Sequence, residues 1–262
     1  VSVTRGIVVP HGKPLVTGTF VRRFKRFFAE VDLSGERVLA HCPNTGRMEG
    51  MLQPGARVHL LCESNPRRKL AYTWELVELD GVVLGANPAR ANQLVRAALL
   101  ARQLPGLKRF SELRSEKSYG DSRADFWLRI GRRNAFVEVK NVHLVYPDGR
   151  AYFPDAPSAR ALRHLRELED VAKRGDLAAV VFVVQRSGAR SVRPSDVHDP
   201  DFAEGARHAK RAGVRFYALE VLPSIHGYTI ESRLPVDLAP YSLAVIRSWA
   251  DTRACGAPVL SR

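Results

Sequence analysis

Apolar and polar positions alternate in short runs over the first third of the chain. Leu15–Phe24 (LVTGTFVRRF), Phe27–Leu33, Arg37–Cys42, Ala56–Glu63, Ala71–Leu79 and Val82–Ala86 each read as a strand. The turn signals SGE, PNTG, QPGA and LDG separate them. Short strands at this spacing predict a small β-barrel, and an OB-like barrel fits residues 1–85.

The pattern changes at NPARANQLVRAALLARQLPG, where the period becomes helical. Asn87 can cap this helix, Pro88 suits its first turn, and Pro105-Gly106 stop it. A shorter helical piece is predicted around Phe110–Lys117 (FSELRSEK), followed by strands over Ala124–Ile130 and Asn134–Tyr146. A helix over Pro157–Gly175 has Ser158 as its cap and Gly175 as its stop; a strand over Ala178–Gln185, a helix over Asp199–Gly213 and a strand over Val214–Val221 follow. This order predicts a mixed-sheet α/β domain over residues 86–262, making the whole chain α+β. The longest apolar run, LAAVVFVV, falls well short of the roughly 18 residues of a membrane helix and reads as a buried strand. The first residues, VSVTRGIVVPHGK, lack the pattern of a signal peptide, so the expectation is a cytoplasmic protein with no membrane partner.

The strand pair DFWLRI and AFVEVK carries the candidate chemistry. Taken as a hairpin closed by the four residues GRRN, it pairs Ile130 with Ala135 and Asp125 with Lys140. Side chains alternate faces along a strand, so Phe126, Leu128, Ile130, Ala135, Val137 and Val139 share one wholly apolar face. Asp125, Glu138 and Lys140 converge on the other, beside Trp127, Arg129 and Phe136. Two carboxylates can hold Mg²⁺ or Mn²⁺, which offsets the charge of a phosphodiester and acidifies a bound water. Lys140 can position or deprotonate that water, or stabilise charge on the phosphate. Glu116, placed at a helix end, can fold over as a third carboxylate. The same three side chains on a sheet face also make an ordinary salt bridge.

Charge adds a partner. The chain of 262 residues carries 41 Lys+Arg against 27 Asp+Glu, a formal net charge of +14, and the excess is densest over residues 86–140. A polyanion, nucleic acid before an acidic membrane surface, fits this balance. RRFKRFF interleaves Arg22, Arg23, Lys25 and Arg26 with aromatic rings, which suits phosphate contact with base stacking; Phe24 and Phe28 fit a barrel core equally well. NPRRKL adds Arg67, Arg68 and Lys69, and Arg123 lies beside the hairpin. FPDAPS leads into a helix whose free N–H groups, with Arg160, can meet a phosphate or form an ordinary capped start. The expected partner is thus DNA, held through its backbone without sequence preference; monomer and homodimer are both open. The cysteines, Cys42, Cys62 and Cys255, form no CxxC pair and read as reduced thiols. CPNTG reads as a tight turn or as a ligand-touching loop.

Asp125, Glu138 and Lys140 resemble the PD-(D/E)xK signature of restriction-endonuclease-like enzymes, with Ala124 where the family often has proline. A longer resemblance runs through HCPNTGRMEGM, NPRRKLAYTWELVE, ANQLVRAAL, EKSYGDSRADFWL, FVEVKNVHL, FPDAPSARALRHLRELEDVAKRG, VVFVVQR and DPDFAEGARHAKRAGV. On these stretches the chain is identified as a member of the sugar fermentation stimulation protein family. The resemblance implies an OB-like N-terminal domain, a nuclease-like C-terminal domain and DNA binding. It also implies a link to regulation of sugar catabolism, notably maltose use. It matches Glu116, Asp125, Glu138 and Lys140 to the presumed metal and catalytic set, and Gln185 to a polar position near it. Members usually carry an acid and a glycine where this chain has Ala159 and Ala161, while Arg160 and His164 remain in place. Three readings therefore stand side by side: a metal-dependent deoxyribonuclease, a catalytically silent DNA-binding regulator on a nuclease fold, and an enzyme acting on a sugar.

Overall fold

A computed structural model describes residues 6–119 and 122–252. The chain runs β1 (Ile7–Pro10), β2 (Leu15–Phe24), β3 (Phe28–Leu33), β4 (Glu36–His41), β5 (Arg57–Cys62), β6 (Tyr72–Leu79), β7 (Val82–Gly85) and α1 (Arg90–Leu100). It continues β8 (Glu112–Tyr119), β9 (Ser122–Ile130), β10 (Arg133–Val142), β11 (Arg150–Phe153), α2 (Ala159–Lys173) and β12 (Leu177–Gln185). It ends β13 (Ser191–Pro194), α3 (Pro200–Arg211), β14 (Arg215–Ser224), β15 (Gly227–Leu234) and α4 (Ala244–Thr252). Among the described residues no helix is long and apolar enough to cross a membrane.

Strands β2 to β7 form one sheet in the order β4-β3-β2-β5-β6-β7, and a parallel β4–β6 pairing closes it into the OB-like barrel. Its interior is apolar, with Phe20 stacked on Trp74 at 4.9 Å. The turn from β2 to β3 holds Lys25 and Arg26 at positive φ. Phe24 and Phe28 stack on each other at 5.5 Å beside it, half-buried, while Phe27 is exposed.

The second sheet has seven strands in the order β1-β15-β14-β12-β10-β9-β8. β10, β12 and β14 are parallel and their neighbours antiparallel, which makes the sheet mixed. Every residue of β12 is buried, because both its faces are covered. One face packs with α1 against the barrel; α2 and α3 cover the other. Ser158 caps α2 by accepting the Ala161 N–H at 3.2 Å, and Asp199 caps α3, where Pro200 takes the first helical position.

Four elements depart from the sequence reading. β1 does not join the barrel assigned to residues 1–85: it pairs with β15, Ile7 opposite Ile230, as an edge of the second sheet. Phe110–Lys117 is no helix. Glu112–Tyr119 is the opposite edge strand, because pairing with β9 satisfies its backbone and Leu113 packs beneath, which outweighs the helix propensity of Glu, Leu, Arg and Lys. The β9–β10 turn is the two residues Gly131-Arg132, so Ile130 pairs with Arg133 and Leu128 with Ala135. That register lies two residues from the expected one; a slip of two keeps the paired side chains on their faces, but the ladder stops at Phe126 and Val137, so Asp125 pairs with neither Lys140 nor Glu138 across it. Finally, α1 begins at Arg90, with Asn87 feeding it through an Ala89 N–H to Asn87 Oδ1 bond of 3.1 Å.

The barrel is fixed to the second sheet by buried polar groups. Glu75, on β6, accepts bonds from Asn87 Nδ2 at 2.8 Å and the Tyr228 hydroxyl at 3.0 Å, meets His11 Nδ1 at 3.3 Å, and pairs with Arg90. The loop CPNTGRMEGM docks against the same domain: Glu49 accepts from the Tyr146 hydroxyl and meets His198 Nε2, each at 3.1 Å. The Met48 N–H donates to Asp155 Oδ2, also at 3.1 Å. Cys42 is buried in the barrel; Cys255 lies outside the described residues.

Candidate active site

The apolar face expected for the hairpin is the core, with Phe126, Leu128, Ala135, Val137 and Val139 packed under α1. Asp125, Glu138 and Lys140 are brought together where β9 and β10 part. The β9–β10 ladder ends at Phe126 and Val137, and the Asp125 carboxylate continues it by accepting the Val139 N–H at 2.7 Å. Its other oxygen accepts from Asn92 Nδ2 of α1 at 2.8 Å. Asp125 is thus held between the sheet and α1 by two donors.

Glu138 is almost wholly buried, at 4 % exposure. Its Oε1 accepts the Lys140 ammonium at 2.8 Å and meets His164 Nδ1 from α2. Its Oε2 has no hydrogen-bond partner among the described residues. One oxygen is held by two donors and the other has none among the described residues, an arrangement that could take a cation or a bound water.

The two acids are pushed apart in pKa. Burial raises Asp125, and the negative charge of Glu138 raises it further, against the Val139 and Asn92 bonds and Lys140. Burial also acts to raise Glu138, but the His164 bond and the Lys140 charge outweigh it and hold Glu138 below the usual range. The two shifts run in opposite directions, so the surroundings favour the charge on Glu138 over that on Asp125.

The other predicted residues are dispersed. Glu116 is not a third carboxylate over the hairpin: it lies on edge strand β8 at φ 56°, is exposed, and pairs with Arg123 at 3.1 Å. Gln185 stands on the α1 side of the sheet, in step with Val183 and Asn141, whereas Glu138 and Lys140 align with Val180 and Phe182 on the α2 side. Its amide donates to Asn141 Oδ1, and it packs beneath Gly85 of the barrel. Arg160 is exposed on the first turn of α2, 3.5 Å from His164 Nε2.

Of the barrel cations, Arg23 is a structural residue, donating to the Arg26, Asn44 and Gly46 carbonyls at 2.9–3.0 Å. Arg22 pairs with Glu30 and lies over Phe24, and Arg68 pairs with Glu63. Lys25, Arg26, Arg67 and Lys69 are exposed.

Sequence reasoning gave no role to His164, Asn92, Tyr119 or Glu167. Tyr119 is buried with its hydroxyl unpartnered among the described residues. Burial raises its pKa, and the charges of Glu138, Glu167 and Asp125 raise it further. The one available signal was on α2, where His164 lies four residues after Arg160 and three before Glu167, on one helical stripe.

A barrel of OB type joined to a restriction-endonuclease-like sheet, with two acids and a lysine where two strands part, defines the class. Comparison with known proteins narrows it. The model for the sugar fermentation stimulation protein RE domain matches residues 89–226, and that for the SfsA N-terminal OB domain matches residues 21–85. A sugar fermentation stimulation protein homolog of Alkalilimnicola ehrlichii is 46 % identical over 230 residues, which cover 85 % of this chain and 97 % of that protein. The homolog of Geobacter sulfurreducens is 44 % identical over 226 residues, covering 86 % and 97 %. The structure of Pyrococcus furiosus SfsA in complex with Ca²⁺ superposes with a TM-score of 0.80 at 27 % identity, covering 88 % of this chain and 98 % of that one. The chain belongs to the sugar fermentation stimulation protein (SfsA) family.

Proposed function

We propose that this protein binds DNA and hydrolyses its phosphodiester bonds at Asp125, Glu138 and Lys140 with the help of a divalent cation. The observation that carries the reading is Glu138: a buried carboxylate with Oε1 held by Lys140 and His164 and Oε2 open. The donor set fits a hard cation, since Mg²⁺ and Mn²⁺ take one or two carboxylates and complete their shell with water and phosphate oxygens. The Ca²⁺ in the Pyrococcus furiosus relative supports a divalent ion.

Asp125 and Glu138 would hold the ion. When bound, it would neutralise phosphate charge and make a coordinated water acidic. Asp125 is locked by Val139 and Asn92, so its carboxylate needs no reordering as substrate arrives. Lys140 Nζ lies 2.8 Å from Glu138 Oε1 and can orient the attacking water or stabilise the charge developing on the phosphate. His164 holds Glu138 in place from α2. The exposed cations Lys25, Arg26, Arg67 and Lys69 on the barrel, and Arg160 beside the site, are suited to the DNA backbone.

The test is a cleavage assay on linear duplex, single-stranded and supercoiled DNA in Mg²⁺, Mn²⁺ or EDTA, with Asp125→Ala and Lys140→Ala alongside. Metal-dependent cleavage lost in both variants is the expected result. DNA binding without cleavage in any metal, unchanged in both variants, would overturn the catalytic reading and leave a DNA-binding regulator.

A further inference from the structure

Three buried oxygens close to the hairpin have no hydrogen-bond partner among the described residues: Glu138 Oε2, Glu167 Oε2 and the Tyr119 hydroxyl. Buried polar atoms are rarely left so, and a cluster of them calls for a missing partner. Glu167 lies one turn after His164 on α2, the residue that meets Glu138. Tyr119 packs its ring on Phe136 at 5.2 Å, two residues before Glu138 and on the same face of β10. The phenol feels the charges of Glu138, Glu167 and Asp125 together, so each of the three carboxylates lies within electrostatic reach of the Tyr119 hydroxyl. Lys140 and His164 both act on Glu138 Oε1, and among the described residues no cation forms a salt bridge with Glu167.

We propose that Glu167 is a further ligand of the divalent cation held at Glu138, directly or through a bound water that the Tyr119 hydroxyl orients. The inference rests on the cation proposed above and extends it to α2. Oxygen-only donors with buried negative charge select a hard cation. Among the described residues no group of three or more Asp, Glu, His or Cys side chains is placed to hold a metal ion by itself, so water and phosphate oxygens would have to complete the shell, as they commonly do for Mg²⁺. Glu116 cannot fill this role from its exposed position against Arg123.

The experiment is calorimetric titration of the full chain with Mn²⁺, comparing wild type with Glu138→Gln, Glu167→Gln, Glu167→Asp, Tyr119→Phe and Glu116→Gln. Melting temperature in EDTA serves as the check on folding. Glu167→Gln should weaken binding by about tenfold or more, Tyr119→Phe by a few-fold, and Glu116→Gln by less than about twofold, in line with the effects of ligands and their supports. Glu167→Asp keeps the charge but withdraws it by one methylene, and should fall between wild type and Glu167→Gln. Wild-type affinity in a folded Glu167→Gln, with binding lost in Glu138→Gln, would overturn this inference and leave the two-carboxylate site standing. Should Glu167→Gln fail to fold, wild-type affinity in Glu167→Asp would overturn it equally. Absence of Mn²⁺ binding by wild type would overturn both readings at once.

Discussion

Replacing Glu75 by glutamine should destabilise the protein by about 3–5 kcal/mol, the usual cost of breaking a buried ion pair by removing one partner. Glu75 is wholly buried and its carboxylate serves Arg90, Asn87, Tyr228 and His11 at once. The Arg90 side chain is only 9 % exposed, so glutamine leaves a cation with no counter-charge and no water. At about 2–4 °C per kcal/mol for a chain of this size, the melting temperature should fall by roughly 6–20 °C. The assay is urea unfolding followed by tryptophan fluorescence, since Trp74 reports from the barrel and Trp127 from the second sheet. Burial acts to raise the Glu75 pKa, but the His11 bond, the Arg90 charge and the Asn87 bond outweigh it and lower it. A carboxylate lowered on folding stabilises above its unfolded pKa, about 4.3, and loses that contribution as pH falls through the folded value. The gap between wild type and Glu75→Gln should therefore be full at pH 7 and narrow on acidification below about pH 4. Glu75→Met combined with Arg90→Met should cost far less than either change alone. A loss under about 1 kcal/mol, or a gap unchanged between pH 7 and pH 3, would refute the reasoning.

Other outcomes follow from the same geometry. Asp125→Asn loses one of the two acceptors that hold Val139 and Asn92 but also the buried charge, so its melting temperature in EDTA should gain on that of wild type as pH rises through the raised Asp125 value; the same change should abolish any stabilisation by Mn²⁺. Mn²⁺ affinity should weaken on acidification, starting above the ordinary aspartate range, as calorimetry across pH would detect. Gly85→Ala places a methyl 2.3 Å from Gln185 Oε1 and 2.9 Å from its Cβ, and should cost about 1–3 kcal/mol in urea unfolding. Arg23→Ala should lower stability by freeing the Asn44 and Gly46 carbonyls, whereas Lys25→Ala and Arg26→Ala should leave stability unchanged and each reduce the salt slope of DNA binding by about 1.

The faces of the β9–β10 hairpin are legible because a period of two survives a slip of two: the turn is shorter than expected, yet Phe126, Leu128, Ala135 and Val137 go to the core and Glu138 to the α2 side, while Asp125, beyond the end of the ladder, is drawn toward Asn92 of α1. Gln185 was not legible in the same way. β12 is apolar on both faces, so nothing in LAAVVFVVQ tells which way its last residue points. Glu116 sits among good helix formers, and only the β9 ladder makes it a strand residue. His164 reaches Glu138 from α2, across a packing contact that no local pattern encodes. The Arg160–His164–Glu167 stripe was the sole hint, and charged stripes mark solvated faces just as often.

The pairing of β1 with β15 has a consequence for synthesis and dissection. Residue 7 meets residue 230, so during synthesis β1 waits for a partner made long after it before this edge of the sheet is complete. The barrel, whose pairings are all local, can close meanwhile, as an excursion inserted between the first strand of the larger sheet and the rest of it. A cut near residue 85 therefore does not release two self-sufficient pieces. The downstream piece would expose the open flank of β15 to association with other chains, and the upstream piece would trail a strand with nothing to pair.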